Sequence, residues 1–246
     1  MVTDKRFSAL TNVASFEQAG RHLCYLKNKS ISAKGIVSGF GVQLLSGERL
    51  AIYHELKNRF GNVAALRQKH SDRILIPSGD NSSSQLEIYS GDAMISDKRG
   101  LVLTVHTADC LPILFFGEDR MIGAIHAGWR GTLREIAPKA VTLAMRNYAI
   151  SLDKLKFIFM PSIQKCCYEV SSEVAVLFRN HQRNNKGQLT IDIAQENKIQ
   201  LTELGIPEQN IQISKECTYC YPGFDYPSFR KDGRIRRRMV NFIVRC

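Results

Sequence analysis

Three side chains able to bind a metal or act as nucleophile and base stand at the edges of apolar segments. His70 lies in RQKHSDRI, Cys110 closes TADC, and His126 opens HAGWRG. Two imidazoles and a thiolate are a donor set for catalytic zinc, with the fourth position left for water or substrate. The wide spacing is not a compact ligand motif, so a buried thiol beside two hydrogen-bonded histidines fits the same residues. Arg130 follows Trp129 in a glycine-flanked turn. A guanidinium there can clamp a phosphate or carboxylate through two parallel bonds, or settle into an ion pair. Catalytic candidates are therefore Cys110, His126 and Arg130. Metal-ligand candidates are His70, Cys110 and His126.

Other polar residues have weaker claims. His106 alternates with Thr104 along a strand and reads as packing, or as support behind the site. Glu169 in CCYEV is either a general acid or base or a solvated carboxylate. Asp109, read on a strand, faces away from Cys110 and would cap or orient rather than react. Cys217 and Cys220 form a lone C-x-x-C. A zinc ribbon needs a second suitably spaced pair, which adjacent Cys166 and Cys167 do not supply, so these read as structural thiols. The phosphate-loop, G-x-S-x-G and H-E-x-x-H patterns are missing from the sequence, which excludes P-loop nucleotidases, the usual serine hydrolases and zincins.

Positioning these residues falls to short alternating elements. The stretch Gly100–Gly131 sets Cys110 between two apolar runs, and Met121–Ala127 delivers His126 into the Gly-Trp-Arg-Gly turn. Runs of that length bounded by polar breaks read as buried strands. Further strands are expected at 35–41, at 74–77 within ILIP, at 157–160, at 211–214 and at 240–244. Helical spacing is expected around Phe16, Leu23 and Leu26, and over 48–60, 132–150, 171–180 and 192–204. Residues 78–87 read as loop. Alternating strands and helices indicate one α/β or α+β domain.

Composition narrows the classes. With 246 residues, 44% of them apolar, the chain can bury a sizeable core. No run reaches a membrane span, and the N-terminus does not read as a secretory signal. Seven irregularly spaced cysteines favour reduced thiols and a cytoplasmic setting over a disulfide scaffold. The net charge of +11 favours anionic partners. Its densest cluster, FRKDGRIRRR at 229–238, reads as a solvated turn or edge strand, with nucleic-acid binding as the competing role.

At TADCLPILFF and HAGWRG the chain resembles the laccase-domain family, once labelled polyphenol oxidases and now regarded as zinc-dependent purine nucleoside phosphorylases. GDAMIS, PSIQKCCYEV, and CTYC followed by FDYPSFRKDGR match further family motifs in order, from Leu66 to the C-terminus. The resemblance implies one catalytic domain over 1–246 with a divergent N-terminal part, and mixed β-sheets layered between helices. It also implies a metal on the QxH histidine, the ADC cysteine and the HAGW histidine: here His70, Cys110 and His126. Purine nucleoside and phosphate become the expected partners, zinc the expected cofactor rather than copper, and adenosine deamination a second activity. Ser71 replaces the usual glycine after the histidine. GIVSGFG lacks the family's Arg-x-Gly-Gly, and Ile235-Arg236-Arg237 replaces Thr-Gly-Arg.

Two other chemistries use the same residues. The resemblance also implies a cysteine hydrolase, with Cys110 as nucleophile and His126 as base, or a role in editing peptidoglycan precursors. Two histidines and a cysteine are also a blue-copper set, which needs a weak axial ligand and closer loop spacing than the sequence offers.

Overall fold

The computed structural model describes residues 16–18, 23–26, 35–42, 49–78, 86–118, 120–233 and 237–246. Strands β1 (Phe16–Gln18), β2 (Leu23–Leu26) and β3 (Ile36–Val42) precede helix α1 (Arg49–Phe60). Then come β4 (Val63–Arg67), β5 (Ile74–Leu75), β6 (Glu87–Ser90), β7 (Ala93–Ser96), β8 (Val102–Thr107), β9 (Leu111–Gly117) and β10 (Met121–Ala127). Helices α2 (Trp129–Leu133) and α3 (Ile136–Tyr148) lead to β11 (Leu155–Phe159), α4 (Ser172–Ala175) and the hairpin β12 (Gln182–Arg183) and β13 (Leu189–Thr190). Helix α5 (Ile193–Glu203), β14 (Ile211–Ile213), α6 (Phe229–Asp232) and β15 (Met239–Arg245) complete the described elements.

Two mixed sheets carry the fold. The first runs β1-β2-β3-β15-β8-β4-β6 and the second β14-β11-β9-β10-β7-β5. Their residues alternate between faces, as the two-residue strand period requires. In the second sheet Ile113, Phe115 and Ile125 face the helices, where they meet Ala137, Ala140, Val141 and Ala144 of α3 and Leu201 of α5. Leu114, Phe116, Ile122 and Ala124 face the first sheet and pack on Phe40, Leu103, Val105 and Ile243. On the outer face of the first sheet, Val102, Val240 and Phe242 cover Ile52, Tyr53 and Leu56 of α1. Each fully buried Val, Leu, Ile or Phe side chain among these contributes about 1.5–3 kcal/mol. The result is the expected mixed α/β class, with sheets layered between helices. Among the described residues no helix is long and apolar enough to cross a membrane.

Three chain segments pass from the first sheet to the second. β4 leads to β5 through Gln68–Arg73, β6 to β7 through Gly91–Asp92, and β8 to β9 through Ala108–Cys110. His70, Asp92 and Cys110 lie on these crossovers.

Several expectations are corrected. Phe16, Leu23 and Leu26 fall on paired strands, not a helix. The expected helix over 132–150 is two helices, broken at Glu135 in a left-handed conformation (φ 57°). Pro138 explains the break: a continuous helix would need its missing N–H to reach Arg134, whereas as third residue of α3 it needs no partner. Helix 171–180 shrinks to α4. Strands β4, β6 and β7 were not anticipated. Among the described residues β6 pairs with β4 alone and half of it is exposed, so it carries little apolar signal. In the run 229–238, residues 229–232 form α6 rather than an edge strand, and β15 begins beyond the run. Residues 235 and 236 of the altered Thr-Gly-Arg position, and most of the N-terminal segment, lie outside the described residues.

Candidate metal centre and its cavity

The crossovers and the end of β10 bring the expected trio together. The ligand atoms of His70, Cys110 and His126 lie within 4.8 Å of one another. Cys110 Sγ is 3.9 Å from His70 Nε2. The imidazole rings are 4.9 Å apart and nearly perpendicular, at 76°. Antiparallel pairing sets His126 opposite Pro112 and Ala127 opposite Leu111, which places Cys110 one step beyond the paired end, beside His126. Gly128 fits between the ligands: a Cβ there would stand 3.1 Å from the His70 ring and 3.2 Å from Cys110 Sγ. His126 is buried, Cys110 half-buried and His70 exposed, so the group opens to solvent on one side.

Asp92 organises this geometry, and the sequence reading gave it no role beyond its place in GDAMIS. Fully buried, it accepts from the backbone N–H groups of Lys69, His70 and Ser71 and from the Ser71 hydroxyl. Its Oδ1 also lies 2.9 Å from His126 Nδ1. Burial opposes its charge, yet the bonds from His126 and Ser71 hold the carboxyl far below the usual carboxylate range. This contact fixes the His126 ring and leaves Nε2 for a ligand, the usual arrangement of a metal-binding histidine. His70 itself has φ 56°, a conformation costing about 1–3 kcal/mol for a non-glycine residue. The turn of N–H groups on Asp92 offsets that strain. Ser71, in the place of a glycine, supplies one more donor to Asp92 through its hydroxyl.

The thiol is tuned for coordination. Burial pushes its pKa up, but the charge of His126, with hydrogen bonds from His126 and His70, brings it down to about 6. His126 responds in reverse. Burial lowers its pKa, while the Cys110 thiolate and Asp92 raise it to about 9. Each group thus favours the charged form of the other. A cation bound there takes a thiolate, a buried imidazole with its outer nitrogen anchored, and an exposed imidazole. The donor set therefore fits a metal of zinc's type.

Asp109 and Glu169 take other roles. Asp109 lies in the crossover turn with φ 89°, not on a strand. Its carboxylate accepts from the Thr218 hydroxyl at 2.8 Å and from Arg230 N–H at 2.8 Å. Its carbonyl accepts from Ile163 N–H. Both carboxylate oxygens are thus engaged in holding the Cys110 turn. Glu169 lines a neighbouring cavity and accepts from Gln188. His106 bonds Tyr53 of α1, in keeping with a packing role. Gln68 of QKH exchanges two bonds with the His106 backbone, at 2.7 and 2.8 Å, and so continues the sheet toward His70.

The trio opens into a cavity of about 650 Å³, large enough for a small-molecule ligand. Arg130, Trp129, Tyr168, Phe229 and Arg238 are among its walls. Arg130 is exposed in the first turn of α2, its guanidinium 4.2 Å from the Trp129 ring centre. The phenyl of Phe229 is 59% exposed, an open apolar face on the rim. Much of the basic run serves the fold. Arg237 pairs with Asp232 and Asp225, Lys231 with Asp225, and Arg230 donates to the Glu169 carbonyl.

Cys217 and Cys220 are not a lone pair. With Cys166 and Cys167 they form a second group whose sulfurs lie within 4.8 Å of one another. The expectation that the adjacent cysteines supply no second pair is therefore corrected. All six cysteines with described side chains are free thiols.

A family model described as multi-copper polyphenol oxidoreductase laccase matches residues 45–246. A purine nucleoside phosphorylase of Aquifex aeolicus is 35% identical over 177 residues, 72% of this chain and 80% of its own length. An adenosine deaminase, RL5, of an unknown prokaryotic organism is 31% identical over 187 residues, 70% of this chain and 71% of its own. Among solved structures, hypothetical protein YfiH of Bacillus licheniformis superposes with a TM-score of 0.80 at 23% identity, covering 93% of this chain and 98% of that one. YlmD of Geobacillus stearothermophilus gives 0.78 at 24% identity, covering 94% and 98%.

Proposed function

Since this chain belongs to the multi-copper polyphenol oxidoreductase laccase family, we propose that it is a nucleoside-processing enzyme, a zinc-dependent phosphorylase of purine nucleosides with adenosine deamination as a second activity. The observation that carries this reading is the convergence of His70, Cys110 and His126 at a cavity also walled by Arg130. Relatives named purine nucleoside phosphorylase and adenosine deaminase support the substrate class.

His70, Cys110 and His126 would hold zinc, which would supply Lewis-acid chemistry there. The chain's own groups do the rest. Arg130 binds phosphate as a planar, permanently charged donor. Phe229 offers its exposed ring to the flat face of the purine. A phosphate oxygen attacks ribose C1′, the bond from C1′ to the base breaks, and its electron pair leaves with the purine, which takes up a proton. The products are free base and ribose 1-phosphate. Asp92 keeps the His126 ring fixed throughout.

We take zinc rather than copper as the ion: a blue-copper centre uses the same two histidines and cysteine but adds a weak axial ligand, and among the described residues no methionine lines the cavity. The chain has six histidines, and two of them are in the group. The proposed compartment is the cytoplasm, where thiols stay reduced.

The chain of contacts Asp92–His126–Cys110 favours one further reading, a cysteine nucleophile with an oriented imidazole base. Turnover that survives chelation and is abolished by alkylation of Cys110 would establish it.

Incubation of zinc-loaded protein with adenosine, with and without phosphate, tests the main reading. Adenine and ribose 1-phosphate are expected only with phosphate. Inosine as the sole product, or no turnover of any purine nucleoside, overturns the phosphorylase assignment.

A further inference from the structure

The four clustered thiols outside the cavity have their own architecture. β11 and β14 are parallel neighbours at the end of the second sheet, with Phe159 opposite Ile213. Beyond them the pairing continues as a bridge between Ser162 and Cys217, and Thr218 N–H donates to the Ser162 carbonyl. The two strands therefore release two loops side by side. One carries Cys166 and Cys167, the other Cys217 and Cys220.

The sulfurs are spaced for one ion. Cys166 Sγ and Cys220 Sγ are 3.7 Å apart. Four sulfurs at about 2.3 Å from a tetrahedral zinc stand about 3.8 Å from one another. The sulfur of buried Cys217 accepts from Gln164 N–H at 3.4 Å. The C-x-x-C turn is closed by Tyr221 N–H on the Cys217 carbonyl at 2.9 Å. A donor pointed at a sulfur stabilises its negative charge, which a metal needs and a disulfide does not. Lys165, Lys215 and Arg230 line the cavities on either side of the cluster. Their charges complement the net −2 of a divalent ion bound by four thiolates.

We propose that Cys166, Cys167, Cys217 and Cys220 form a second metal centre, a closed four-thiolate site for zinc that clamps the two loops together. Binding releases the four thiol protons and involves no redox step. The site has a structural connection to the cavity: Thr218, inside the C-x-x-C turn, donates to Asp109, the neighbour of Cys110. Clamping the loops thereby steadies the turn that presents Cys110. This assignment is independent of the nucleoside reading.

Zinc content of the full chain, purified under reductant, tests the proposal by native mass spectrometry. Two ions per chain are expected. Cys110→Ala should retain one, and Cys166→Ser with Cys220→Ser should also retain one, from the other centre. In the Cys110→Ala protein, a mercurial titration should release the remaining zinc as four thiols react, and this readout needs no change to the cluster. Cobalt in that protein should show intense thiolate charge-transfer absorption. A single zinc that disappears with Cys110→Ala overturns the proposal. So does a cluster isolated without metal as a Cys166–Cys220 disulfide, two hydrogens lighter.

Discussion

Asp92 Oδ1 lies 2.9 Å from His126 Nδ1, and the same carboxylate collects the N–H groups of Lys69, His70 and Ser71. One buried charge thereby fixes two of the three candidate ligands. Asp92→Asn should weaken zinc at the trio by about 10–100-fold, as changes behind metal-bound histidines do, measured by competition with a chromophoric chelator. Unchanged affinity would remove Asp92 from its positioning role.

The same residue sets a pH dependence. Its folded pKa lies below the unfolded value of about 3.9. It therefore contributes stability that is full above that value and is lost as pH falls toward the folded one. Urea denaturation of chelated parent and Asp92→Asn should show a stability gap at neutral pH that narrows on acidification below about pH 4. A gap constant down to pH 2 would contradict the depressed carboxyl.

Arg130 is exposed and its described contact is with Trp129. Arg130→Ala should raise the KM for phosphate about tenfold or more, the scale of a lost charge-assisted bond, with stability unchanged to within about 0.5 kcal/mol. Steady-state kinetics at varied phosphate checks this. An unaltered KM would remove Arg130 from the proposed phosphate site.

Gly123, in the middle of β10, lies under the Phe115 ring, which a Cβ at that position would overlap. Phe115 is itself fully buried and stacked on Phe157, with centroids 5.3 Å apart. Gly123→Ala should cost about 1–3 kcal/mol through overpacking, read as a lowered denaturation midpoint. Wild-type stability would mean that the two rings can shift together.

Thr218→Val removes the hydroxyl bonded to Asp109 and leaves a buried carboxylate oxygen short of a donor. A loss of about 1–3 kcal/mol is expected, with kcat falling more than KM changes, because the Cys110 turn loosens. Full activity at reduced stability would confine Thr218 to the fold.

The trio was legible because ligand-type residues flank long apolar runs, and the family motifs mark the same positions. Asp92 was not: a single aspartate in GDAMIS carries no sign that three backbone N–H groups and a histidine will face it. The four-cysteine group was hidden for a related reason. Its halves are some fifty residues apart, and adjacent Cys166 and Cys167 lack a standard ligand spacing until parallel β11 and β14 set their loops together. Strand β15 was recognised but its place was not, since pairing order is a tertiary property that the alternation of MVNFIVR leaves open.

His70 and Cys110 ride on separate passages between the two sheets, while His126 belongs to the second sheet alone. An ion held by all three is therefore a rivet through both layers. Losing it should slacken the seam between Leu103 and Leu114. Amide exchange along β8 and β9 would then report metal occupancy from within the core.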